Sequence, residues 1–171
     1  MSSGKHSDVL RELGVPETYG RDPKLPRYAQ ARRLVDVEPN IVGHMQRLTS
    51  ATAAAWRDMK AEAAAHGVSL LLVSGFRSIE RQAELLRRKL AAGQSIEAIL
   101  RVNAAPGFSE HHTGQAIDIA TPGCPPLVEA FESTAAFEWL GTHAGRFGFT
   151  MPYSRDNAFG ICYEPWHWST L

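Results

Sequence analysis

The chain has 171 residues, 44% of them hydrophobic and 21% charged, a balance that excludes a disordered or collagen-like chain and allows one domain burying about 70% of its unfolded surface. Eighteen basic and eighteen acidic side chains cancel, so no electrostatic recruitment to nucleic acid or an anionic membrane is expected. The alanine-rich stretches are interrupted by charge, and no membrane span is expected either.

The opening run MSSGKHSDVLRELG lacks the apolar core of a secretory signal. As written, the chain is expected in the cytoplasm, or in the periplasm or envelope if a leader was removed. Residues 1–45 are rich in Pro, Gly and charge (GVPETYGRDPKLPRY) and predict an irregular arm packed on a single domain, 1–171. Thr49 or Ser50 can cap a helix to about Ala65, with Gly67 as its stop. The run VSLLLV reads as a buried strand over 68–73 that breaks at Ser74-Gly75. Ser78 caps a helix ending near Gly93, and Ser95 opens a short one to about Val102, ahead of the Pro106-Gly107 turn. Residues 115–119 alternate as a strand should, with Ala116 and Asp118 on one face and Ile117 and Ile119 on the other. Ser133 or Thr134 opens a helix ending before Gly148, and 149–153 and 161–168 read as strands. Helices grouped around a small antiparallel sheet define an α+β domain.

Two short runs carry the chemistry: SEHHTGQAID, 109–118, and EPWH, 164–167. His111, Asp118 and His167 offer two imidazoles and one carboxylate, a three-ligand set for Zn²⁺ that leaves a coordination position open, and Glu164 supplies a base beside it. Gly114 allows a tight turn between His111 and Asp118, and Ala116 is small where metal and substrate must approach. Adjacent residues of an extended segment point opposite ways, so His112 is not expected to share an ion with His111 and is read as a cleft-edge or supporting group. An offset of three would place Glu164 and His167 on opposite faces of a regular strand, so a bulge at Pro165 is expected to turn both inward. Arg77, delivered by the 68–73 strand, suits an oxyanion or a carboxylate through paired hydrogen bonds. Gln82, one turn beyond Ser78, and Tyr153 are further candidates for the cleft wall. Cys124 and Cys162 lack CxxC spacing and leave both a disulfide and two thiols open.

The pattern SxHxxGxAxD followed by ExWH resembles the lysostaphin, D-Ala-D-Ala metallopeptidase and sonic hedgehog superfamily. With SGFRS upstream, it is most similar to the VanY-type D-alanyl-D-alanine carboxypeptidases, over about residues 68–168. Carried over by position, the resemblance implies zinc ligands at His111, Asp118 and His167 and a catalytic base at Glu164. It implies a substrate-side arginine at Arg77, polarising the scissile carbonyl, and a supporting serine at Ser109. One departure is visible: relatives often continue past EPWH with an arginine and a tyrosine, whereas here Trp168, Ser169, Thr170 and Leu171 follow.

The implied activity is a zinc carboxypeptidase removing the terminal D-alanine of a peptidoglycan stem peptide, working as a monomer. An L,D-carboxypeptidase acting on tetrapeptides keeps the zinc chemistry and changes only the stereochemistry before the cut bond. A phage-like endopeptidase would need a cleft open at both ends. A zinc-stabilised binding module without hydrolysis, as in the hedgehog branch, is the contrasting class, and it has no use for Glu164 or Arg77.

Overall fold

A computed structural model describes residues 3–21 and 25–171. Its elements run α1 (Ser3–Glu12), β1 (Val35–Pro39), β2 (Met45–Leu48), α2 (Ser50–Ala65), β3 (Leu71–Ser74), α3 (Ile79–Ala91), α4 (Ile96–Val102), β4 (Ala116–Ala120), α5 (Ala135–His143) and β5 (His167–Ser169). Strands β1 and β2 form an antiparallel hairpin, and β3, β4 and β5 form an antiparallel sheet with β4 in the centre. The architecture is therefore α+β, as the sequence implied.

Four of the five helices start where a hydroxyl can accept from the first turn. The side chains of Thr49, Ser78, Ser95 and Thr134 accept from the backbone N–H groups of Thr52, Arg81, Ala98 and Phe137, satisfying donors that the helix itself leaves open. The sheet and α2 share a core in which Ile117, Ile119, Leu72 and Trp168 pack with Trp56, Met59 and Phe131. A second cluster joins Leu86, Ile99, Phe108 and Tyr153 to Leu13, Val15 and Leu25 of the N-terminal region. Burying three such aliphatic side chains contributes roughly 1.5–3 kcal/mol each, so the arm is held by apolar contact as well as by hydrogen bonds.

The structure departs from the sequence reading in three places. The region expected as an irregular arm contains α1 and β1, and the described residues between them, 13–21 and 25–34, carry neither helix nor strand. The strand expected over 149–153 reduces to one bridge between Thr150 and Ser169. The strand expected over 161–168 reduces to β5, because Pro165 has no N–H to donate and the preceding hydrogen bonds go elsewhere. Cys162 N–H donates to Arg101 O, and the Asn157 amide donates to Ser154 O and Ile161 O. Cys124 and Cys162 are free thiols. Among the described residues no helix is long and apolar enough to cross a membrane.

Candidate metal centre and active site

Asp118 lies at the middle of the site because β4 lies at the middle of the sheet. It pairs with Ser74 of β3 on one side and with His167 of β5 on the other, and cross-strand partners project to the same face. His111 comes from the 3₁₀ turn Glu110–Thr113 immediately before β4. Gly114 closes that turn at φ 67°, and a Cβ there would meet Leu34 Cδ2 at 2.6 Å, so glycine is required by both conformation and space. One nitrogen each from His111 and His167 and one carboxylate oxygen of Asp118 lie within 4.8 Å of one another, all three residues buried.

Whether these atoms suit a metal is answered by where the other ring nitrogens point. His111 Nδ1 lies 2.7 Å from Gly75 O, an acceptor only, so the ring proton sits on Nδ1. Burial, helped by the Arg77 charge, lowers the His111 pKa and keeps the ring neutral. Its Nε2 lone pair therefore faces Asp118 Oδ2 at 3.3 Å, an arrangement of two acceptors that a cation between them relieves. His167 Nε2 lies 3.0 Å from Glu110 Oε2, and its Nδ1 lies 3.0 Å from Asp118 Oδ1. Burial alone would lower the His167 pKa, but hydrogen bonds to Asp118 and Glu110 raise it well above the imidazole range, so without a metal the ring is cationic. Burial would likewise raise the Asp118 carboxyl, and the two imidazoles outweigh it and hold it below the usual range. The inward set is thus His111 Nε2, an Asp118 oxygen and His167 Nδ1, with a proton on Nδ1 standing where a metal would bond. Two imidazoles and a carboxylate fit Zn²⁺ and leave one position open.

Glu164 reaches the site from a turn rather than from a bulged strand. Its N–H donates to Tyr153 O at 3.0 Å, and its carbonyl accepts from His167 N–H at 3.1 Å across Pro165 and Trp166. That turn solves the offset-of-three problem, because it reverses the chain before β5 begins. Burial pushes the Glu164 carboxyl up to about 7, His167 pulling it down and Asp118 pushing it further up. A buried carboxyl beside the candidate ligand set is of the kind that takes and returns a proton.

Arg77 is held by three neighbours: Nη1 donates to Gln82 Oε1 at 3.0 Å, Nη2 donates to Ser74 Oγ at 3.1 Å, and Nη2 lies 3.9 Å from Asp118 Oδ2. Gln82, fully buried, also donates to Ala104 O at 2.7 Å, so it positions the guanidinium as well as lining the cleft. Ser109 precedes the ligand turn without a side-chain cap bond and lines the same cleft, as does Tyr153, which stacks on His167 at 4.7 Å. The cleft, of about 430 Å³, also takes in Lys89, Glu129, Tyr163 and Trp166. His112 is not at its edge. Fully buried, it accepts from Gly107 N–H at 3.0 Å and donates from Nδ1 to Arg77 O at 2.6 Å, tying the ligand turn to the arginine loop.

The residue that sequence reasoning missed is Glu110. It is 4% exposed and bonded to His167, yet it sits beside His111 in sequence. A usable signal was present: a histidine ligand needs an acceptor for its second nitrogen, and a carboxylate in an otherwise buried run can supply one.

A candidate three-ligand metal set joined to a buried carboxyl and a pinned guanidinium is the donor set that a metallohydrolase requires. The model of the VanY D-alanyl-D-alanine carboxypeptidase family matches residues 45–170, and the chain belongs to that family. A D-alanyl-D-alanine carboxypeptidase of Enterococcus faecalis is 32% identical over 144 residues, covering 78% of this chain and 52% of its own. The chain thus spans about half the length of that relative. The structure of the LD-carboxypeptidase LdcB superposes with a TM-score of 0.73 at 32% identity, over 84% of this chain and 70% of that one. A mutant of the vancomycin-resistance D,D-pentapeptidase VanY in complex with Zn(II) superposes with a TM-score of 0.61 at 27% identity, over 82% and 84%.

Proposed function

We propose that this protein is a zinc carboxypeptidase that removes the C-terminal D-alanine from peptidoglycan stem peptides. The observation that carries the reading is the ligand set His111, Asp118 and His167 opening onto a cleft that also holds the Glu164 carboxyl and the Arg77 guanidinium. Zn²⁺ held by those three side chains would supply Lewis acidity and make water acidic enough to ionise near neutral pH. Glu164 takes the proton of the attacking water and returns it to the departing amine. Arg77, held in place by Ser74 and Gln82, presents its remaining N–H groups to the scissile carbonyl oxygen as negative charge develops there. Ser109 and Tyr153 border the bound peptide.

A carboxypeptidase must also recognise a terminal carboxylate, and Arg77 is already occupied. Lys89, on α3 seven residues beyond Gln82 and so on the same helix face, is the other cation lining the cleft. Burial and Arg77 lower its pKa while Glu164 raises it, which places it in the field of both. The Lys89 ammonium is the partner we assign to the substrate carboxylate. The enzyme is taken to act as a monomer. A peptidoglycan substrate supports a place in the periplasm or cell envelope.

The likeness to LdcB favours a second reading, L,D-cleavage of tetrapeptides, which the same residues could perform and which a cytoplasmic enzyme could use on recycled wall. Zinc-loaded protein incubated separately with a pentapeptide ending in D-Ala-D-Ala and with the corresponding tetrapeptide, products identified by mass, separates the two. Loss of one alanine from the pentapeptide is expected. Absence of product from both peptides, with zinc bound, would overturn the enzymatic reading and leave a zinc-stabilised binding module.

A further inference from the structure

The Glu110 carboxylate does more than accept from His167. Its Oε2 lies 3.0 Å from His167 Nε2, its Oε1 accepts from the Tyr28 hydroxyl at 3.2 Å, and the Ser169 hydroxyl bonds to it as well. Ser169 is on β5 two residues beyond His167, hence on the same face. Tyr28 comes from elsewhere: it belongs to the N-terminal arm, outside residues 45–170 that the family model matches. The arm is laid along the ligand turn by main-chain bonds, Tyr28 N–H to Gly107 O at 2.9 Å and Ala31 N–H to His112 O at 2.8 Å. The Gln30 side chain accepts from Ile79 N–H at 2.7 Å, and Leu34 lies against Gly114. Four contacts fasten the arm to the ligand turn and its neighbours, and one polar side chain passes beyond them to the carboxylate behind His167.

We propose that Tyr28 and Glu110 are positioning residues through which the N-terminal arm sets how tightly the site retains its metal, by fixing His167 with Nε2 protonated and Nδ1 turned to the other two ligands. The physical reason lies in the ring's symmetry. A neutral imidazole can carry its proton on either nitrogen, and only the form protonated at Nε2 offers the Nδ1 lone pair. Glu110, acceptor-only when ionised, stabilises that form and makes Nδ1 more basic. Tyr28 and Ser169 occupy further lone pairs of the carboxylate and hold its plane, so the acceptor is aimed as well as charged. Loss of the Tyr28 bond leaves the charge and loosens the aim, whereas loss of Glu110 removes both.

This inference rests on the zinc reading, and its test fails separately from that one. Full-length protein is stripped of metal, and the Zn²⁺ dissociation constant is measured by competition with a chromophoric chelator for wild type, Tyr28→Phe, Glu110→Gln and Glu110→Ala. Glu110→Ala is expected to weaken binding by about 10–100-fold, the range for an outer partner of a ligating histidine. Glu110→Gln, which keeps an acceptor and loses the charge, is expected to fall between that and wild type. Tyr28→Phe should weaken binding by about three- to tenfold, as for one lost hydrogen bond, with the metal-free unfolding midpoint unchanged. The second readout is the ¹⁵N spectrum of the His167 ring in the zinc-loaded protein, expected to show Nε2–H in wild type and Tyr28→Phe. Wild-type protein that binds no zinc would sink the metal reading itself. Zinc binding with equal affinity in wild type, Tyr28→Phe and Glu110→Gln would sink this inference alone. So would affinity losses matched by equal losses of metal-free stability, because the arm would then act only on folding.

Discussion

His111 and Asp118 arrive on one continuous segment whose backbone is clamped on every side, whereas Glu164 and His167 arrive on a turn at the end of a loop. Gly75 O holds the His111 ring, Arg77 N–H donates to His111 O at 3.0 Å, and His112 bridges Arg77 O and Gly107 N. On the other side, 154–166 has no strand or helix, and Glu164 hangs from one bond to Tyr153 O and one to His167 N–H. Under the proposed chemistry, the half that keeps a fixed donor geometry is the rigid one, and the half that moves a proton carries the adjustable carboxyl. His167, at the junction, gains its rigidity from the sheet and from Glu110.

The largest effect is expected where the rigid half is broken chemically without being moved. Asp118→Asn keeps the shape of the central side chain and removes its charge between two imidazoles. Zinc affinity should fall by more than about 100-fold, beyond the cost of losing an outer hydrogen bond, and peptide cleavage should fall with it. Chelator competition on the purified variant measures this, and an Asn variant that binds zinc as wild type does would remove Asp118 from the ligand set. Treating wild type with the chelator should reproduce the same loss, restored by added Zn²⁺.

Breaking the adjustable half should give the opposite pairing of readouts. Glu164→Gln is expected to leave zinc bound and to lower kcat by about 10²–10⁴-fold, the range for a positioned general base. Cleavage that persists at the wild-type rate with zinc in place would transfer the proton step to another group. Lys89→Gln should be milder and should appear in KM, by about tenfold for one lost charge-assisted contact, with kcat nearly intact. A substrate whose terminal carboxylate is replaced by a carboxamide checks the assignment: wild type should lose the same factor, and the variant should lose nothing more. Additive losses would place Lys89 away from the carboxylate.

The same contrast explains what could be read in the sequence. The clamped segment is short-range: alternation from 115 to 119, a glycine at a positive φ and hydroxyl caps on the neighbouring helices all act within a few residues, so β4, α2, α3 and α4 were legible nearly to their ends. The convergence of His111, Asp118 and His167 was legible because their residue types serve few other purposes together. The loop half was not. Apolar residues at 149–153 and 161–168 suggested strands, but Pro165 and the Asn157 side chain settle those backbone bonds locally, which periodicity does not register. Helix α1 and the hairpin strand β1 were hidden by Pro and Gly content in the residues between them. Glu110 was hidden for another reason: its partners are 57 and 82 residues away, and no local pattern marks a carboxylate that will face a histidine across the fold.

The smallest expected effect concerns pH and the metal-free protein. A carboxyl whose folded pKa is raised by burial, as Glu164's is to about 7, stays protonated in the folded state while the unfolded chain ionises from about 4.3 upward. The folded state then binds more protons than the unfolded one, so stability falls as pH rises through that window and the full penalty is present above about 7. Glu164→Gln removes the penalty, together with the smaller support that the ionised carboxylate gives to the charges of His167 and Lys89. Urea midpoints measured with chelator present should show the variant gaining on wild type between pH 4.5 and pH 8. The gain should reach about 1–2 kcal/mol, less than the full shift at 1.36 kcal/mol per unit because the side chain keeps some solvent. Asp118 contributes the opposite trend, its lowered pKa adding stability above about 3.9 that is lost on acidification. Both proteins share that trend, so it cancels in the comparison. Adding Zn²⁺ should abolish the gain, because a divalent cation beside the carboxylate favours its charged form. An offset between the two proteins that does not change with pH would mean that the Glu164 carboxyl is solvated in the folded state, and the poised proton acceptor would have to be found elsewhere in the cleft.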